Sequence, residues 1–137
     1  MSHFRQPEDL RDYQNRVASW VENCFGGAVL MDRQERARRL LEEAIEFAQA
    51  AGLSAAEAHY LVDDVHAREA GDLGQEAGGV ITTLAAACFG TGLDLHQEAM
   101  RELARIERPE IIEKCRRKQA EKAERGVAMR GRENGAA

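Results

Sequence analysis

Residues 39–50 read RLLEEAIEFAQA, and this stretch decides the fold. Leu, Glu, Ala, Gln and Arg are strong helix formers, and they fill most of it. Counting back to Ala37, the apolar positions Ala37, Leu40, Leu41, Ala44, Ile45 and Ala48 recur at steps of three and four, the stripe of an amphipathic helix. Three carboxylates, Glu42, Glu43 and Glu46, lie within five residues of that run. At about 100° per residue, Glu43 and Glu46 point roughly 60° apart, so both heads reach one point. That is the geometry of half a site for a hard divalent cation, which takes oxygen ligands. The same spacing also suits a solvated charged face, with Arg39 and Glu43 as an i,i+4 pair. Spacing alone leaves both readings open.

A further carboxylate, Glu76, follows thirty residues after Glu46. It sits in a helix expected from Asp72 or Leu73 to about Phe89, with Leu73, Ala77, Val80, Ile81, Leu84 and Cys88 facing inward. The helical wheel aligns Asp72, Glu76, Gly79 and Thr83 on the border of that apolar face. Glu76 is therefore expected to be partly desolvated and to need a cation or hydrogen-bond donors. Gly78 and Gly79 each cost about 1 kcal/mol against alanine inside a helix. They point to close approach by another helix or by a ligand.

Other helices are marked by their ends. Pro7, Glu8 and Asp9 make a first turn, Leu10, Tyr13, Val17, Trp20, Val21 and Cys24 form a buried stripe, and Gly26 with Gly27 stops it. Asp32 with Glu35 opens the helix that carries the three glutamates. Ser54 with Glu57 is a capping box for a helix from Ala55 to about His66, and Asp94 with Gln97 opens one reaching about Glu107. Pro109 starts a last helix, rich in Lys114, Arg116, Arg117, Lys118 and Lys122. Beyond Gly126 the chain is polar and reads as a disordered tail. The expected fold is all-α: one domain over residues 1–125, a helical bundle of about four core helices with a basic C-terminal helix, and a tail over 126–137.

Composition narrows the function classes. The three cysteines are odd in number and contain no C-x-x-C pair, so reduced thiols are expected rather than a disulfide framework or a zinc site. Asp63 and His66 have the spacing of half a di-iron carboxylate motif, but no second copy of it occurs, and His59, His66 and His96 read as surface or interface residues. The N-terminus lacks the apolar core of a signal peptide, and the least polar stretch, residues 78–93, is too short to span a bilayer. A soluble, cytoplasmic protein is expected, with no membrane partner. The net charge is -5, yet from Glu110 onward eight Lys and Arg face five Glu. An acidic body with a basic end argues against a nucleic-acid binder and leaves room for an anion contact near that end.

Taken together, E-E-x-x-E on one helix, a later helical carboxylate, a T-L-A-A run and G-L-D-L resemble the MazG-like, all-α nucleoside triphosphate pyrophosphohydrolase superfamily over about residues 36–122. Glu42, Glu43 and Glu46 fit its first motif, and Glu76 fits the Glu of its E-x-x-D. Gly79 stands where the family has Asp, the mark of a divergent subgroup. The resemblance implies Mg²⁺, with Mn²⁺ as a substitute, held by Glu43, Glu46 and Glu76. Glu42 would serve behind them or at the attacking water, and Asp72 is the nearby acid that partly replaces the lost ligand. It implies Lys114, Arg117 and Lys118 as phosphate contacts, a nucleoside triphosphate substrate cut to monophosphate and pyrophosphate, and a homodimer or homotetramer. The glycine also admits another reading, a catalytically weak or inactive module that binds a nucleotide or a partner protein.

Overall fold

The computed structural model describes residues 3–132. Among these there are seven helices and no strand, so the expected all-α class holds. Helix α1 spans Leu10–Phe25, and its N-cap is Asp9, whose side chain accepts from the Asp12 amide at 2.7 Å. Pro7 and Glu8 therefore precede the helix. Gly26, at φ 92°, ends it in a conformation that glycine adopts without a Cβ penalty. Gly27 does not lengthen the break but opens a five-residue helix, α2 (Gly27–Met31), that sequence periodicity is too short to reveal. Asp32 then caps α3 (Arg33–Ala50) by accepting from the Glu35 amide at 2.7 Å.

Both bonds of the Ser54–Glu57 capping box are present at the start of α4 (Ala55–His66). Asp72 caps α5 (Leu73–Gly90), and Asp94 accepts from the Gln97 amide at 2.9 Å at the start of α6 (Leu95–Ile106). Helix α7 (Pro109–Glu124) begins with proline in its first turn, as expected.

The chain divides into two units, residues 1–40 with 99–137, and residues 41–98. The first unit has a core of Val21, Cys24, Val29, Leu103 and Ile106. Trp20 is half-buried, donates Nε1–H to the Ile106 carbonyl at 2.8 Å, and meets the Phe25 ring edge-on at 5.8 Å. This tryptophan, expected in a buried stripe, stands at the margin of the core, and Leu10 at the start of the same stripe is exposed. Arg16 forms a fork–fork pair with Glu107, at 2.6 and 2.7 Å, beneath the Phe4 ring at 4.8 Å. Arg116 is not part of a solvated charge run. It donates to the carbonyls of Cys24 and Asn23 at 3.1 and 2.8 Å, satisfying acceptors that the C-terminus of α1 leaves open. Burial, with the neighbouring Cys115 adding to it, pushes the Cys24 thiol up to about 12, only partly offset by Arg116.

The tail expected from residue 126 takes a different course through its described part. Residues 127–132 run back over the first unit. Arg39 donates to the Val127 carbonyl at 2.7 Å, the Met129 amide donates to Glu35 at 2.9 Å, and the Arg132 amide donates to the Phe25 carbonyl at 3.2 Å. Composition marks this stretch as polar, but its binding uses main-chain groups, which composition does not record. Residues 133–137 lie outside the described part.

The second unit is built differently. Of residues 41–98, Cys88 alone is buried. Apart from Cys88, the stripe expected to face inward on α5 is in water: Leu73 is 64% exposed, Val80 44% and Ile81 43%. Periodicity identifies which face of a helix is apolar, not whether the same chain covers it. Among the described residues no single helix is long and apolar enough to cross a membrane.

Candidate functional site: carboxylates of the second unit

The three acids of E-E-x-x-E lie on α3 as the spacing requires. Glu42 is half-buried, while Glu43 and Glu46 are exposed. Glu76 lies in the first turn of α5 and is exposed, so its expected desolvation is not found in the single chain. Its carboxylate folds back into the space that a Cβ at Gly71 would take, over the positive end of the α5 dipole. A side chain at position 71 would displace it. No hydrogen bond or ion pair among the described residues engages the carboxylates of Glu46 or Glu76.

Asp72, expected from the resemblance to serve as a further metal ligand, has a structural task. One of its oxygens accepts from the Gln75 amide at 2.9 Å and caps α5. An added Cβ at either Gly78 or Gly79 meets nothing within 4 Å. The close approach expected of these glycines is therefore not found among the described residues of this chain. Thr82 and Thr83 each donate their hydroxyl to the carbonyl four residues back, Gly78 and Gly79, at 2.9 Å, so neither carbonyl is left for another donor to satisfy.

The donor set is right for a hard cation, since every member is a carboxylate. The gathering is not: among the described residues no three of His, Cys, Asp or Glu come together in a way that could hold a metal ion. Asp63 and His66, on α4, are exposed. Lys114, Arg117 and Lys118 are exposed on α7, in the first unit.

One residue that sequence reading assigned only to a cap is Glu35. It does not reach back to close a capping box; it is fully buried and accepts from Gln119 Nε2 at 3.0 Å as well as from the Met129 amide. The available signal was three arginines, Arg36, Arg38 and Arg39, within four residues of it. No family model, no curated protein and no solved structure matches the chain.

Proposed function

We propose that this chain is a Mg²⁺-dependent nucleoside triphosphate pyrophosphohydrolase of the MazG-like kind, active as an assembly of identical copies. The observation that supports it most is the state of the second unit, which carries uncommitted carboxylates at Glu46 and Glu76 together with apolar helix faces left in water. Thirteen large apolar residues between 41 and 98, from Leu41 to Leu93, are at least 37% exposed. Fully burying such a side chain is worth about 1.5–3 kcal/mol, so roughly 1 kcal/mol apiece is still to be gained. The total is on the order of 10 kcal/mol, comparable to the net stability of a whole domain. A homodimer or homotetramer formed through these faces would recover it and remove Glu76 from water. That would also bring carboxylates together that one chain keeps apart.

A cation held by Glu43, Glu46 and Glu76 would supply charge neutralisation on the triphosphate. Purified protein mixed with Mg²⁺ or Mn²⁺ and a panel of ordinary and damaged triphosphates should release pyrophosphate. Glu46→Gln should abolish the release while leaving the melting temperature within a few degrees. Full turnover in Glu46→Gln would remove that residue from the site.

Gly79, in the place of the family's Asp, favours a second reading: a helical module that assembles and binds a nucleotide or partner without cutting it. That reading predicts no pyrophosphate at any metal concentration, but a melting temperature raised by nucleotide, because a ligand of the folded state stabilises it.

A further inference from the structure

Glu35 is the most fully buried charged group of the first unit, at 0% exposure. Its neighbours come from three segments. From α3, Arg38 donates to Oε2 at 3.1 Å, Arg39 Nε stands 3.4 Å from Oε1, and Arg36 lies at 3.9 Å with Asp32 as its other acidic neighbour. From α7 comes the neutral Gln119, donating at 3.0 Å. From residues 127–132 comes the Met129 amide, donating to Oε2 at 2.9 Å. Gln119 Nε2 also donates to the Met129 carbonyl at 2.6 Å, so Glu35 and Gln119 together hold both main-chain polar groups of Met129.

The rest of the segment is held in the same manner. Arg39 donates to the Val127 carbonyl, the Phe25 carbonyl accepts from the Arg132 amide, and Gly131 lies flat on Phe25, where an added Cβ would stand 3.2 Å from the Phe25 Cβ. Met129 is half-buried, while Val127, Arg130 and Arg132 are exposed. Little apolar area holds the segment down, and hydrogen bonds to main-chain groups do most of the holding. A stretch with few buried apolar contacts belongs to the part of a protein that opens locally at low cost.

We propose that residues 127–132 form a detachable strap, closed over the ends of α1, α3 and α7 while Glu35 is charged and released when Glu35 takes up a proton. Protonation turns one acceptor oxygen into a donor, in a position where Met129 N–H, Gln119 and Arg38 already donate and Arg39 stands close by. One donor then faces another, and the bond that fails at least cost is the one to the segment with little buried apolar area. Burial pushes the Glu35 carboxyl up, but the bonds from Gln119 and Met129 and the charges of Arg39 and Arg36 outweigh it and hold it below the ordinary 4.5. With a lowered folded value, closure is fully present above the ordinary carboxylate range and is lost as pH falls through it.

Hydrogen–deuterium exchange of the full chain, read by mass spectrometry on peptides covering 127–132, α1 and α7, tests this at neutral pH with Glu35→Gln. The amide of Gln keeps the shape but not the charge. The strap is expected to lose roughly tenfold or more in protection, the loss of one hydrogen bond to a charged acceptor, while α1 and α7 keep theirs. Met129→Pro, which removes the donated N–H and leaves Glu35 untouched, should loosen the same peptide alone. In wild type, protection of the strap relative to an unfolded reference should fall below about pH 4.5 before that of α1. Unchanged strap protection in both variants, or strap and helices losing protection together, would overturn the proposal and leave Glu35 as an ordinary part of the core.

Discussion

Gly79→Ala adds one methyl group to α5, at a point where, its own helix backbone aside, the new Cβ meets no atom of the described residues within 4 Å. In open space only helix propensity acts, and the exchange stabilises by about 0.8–1 kcal/mol. For a chain of this size, that is a rise of roughly 3–6 °C in melting temperature. If a second copy packs across Gly78 and Gly79, the methyl intrudes into a filled interface and costs about 1–3 kcal/mol, which cancels or reverses the gain. The sign of the change therefore reports whether something from outside the chain covers this surface. Thermal melts at two protein concentrations, with mass by light scattering, supply the assay. The expected result is a melting temperature that falls or fails to rise, with a shift to smaller mass that is worse at low concentration. A rise of several degrees at both concentrations with unchanged mass would refute the reasoning.

Gly79→Asp asks whether the glycine is only a lost ligand: with the interface occupied, it should weaken assembly without tightening Mg²⁺ binding, whereas roughly tenfold tighter binding, about 1.4 kcal/mol, with stability retained would favour the lost ligand. Leu103→Ala, at a position with 0% exposure, should destabilise the first unit by about 2–5 kcal/mol in denaturant titration, and a cost under about 1 kcal/mol would show that the core there collapses around the gap. The Cys24 thiol, raised from 9.0 to about 12, contributes stability that is fully present below pH 9 and is lost as pH climbs toward 12. Melts from pH 8 to 11 should therefore fall more steeply for wild type than for Cys24→Ala; parallel curves would contradict the assignment.

The helices were legible because their ends carry local chemistry. Asp32, Ser54, Asp72 and Asp94 each satisfy the backbone amide three residues on, and Gly26 ends α1 through its own backbone freedom. Such signals act within one turn, which a sequence displays directly. Glu35 was legible only as a cap residue, since its partners Gln119 and Met129 are more than eighty positions away. The strap was missed for a related reason: its anchors are main-chain N–H and C=O groups, the same for every residue type. The carboxylates fell on the expected helices, but Glu76 and the apolar stripe of α5 stand in water. A hydrophobic pattern fixes which face must be covered and is silent on whether the cover belongs to the same molecule.

The central claim joins chemistry to assembly, so both should be read in one experiment: initial pyrophosphate release per chain, with Mg²⁺ and the best triphosphate, across protein concentrations at which mass is measured in parallel. The account predicts a rate per chain that rises with the assembled fraction, needs the metal, and disappears in Glu76→Gln at unchanged mass. No release from the assembled protein, or equal release from Glu76→Gln, would contradict it.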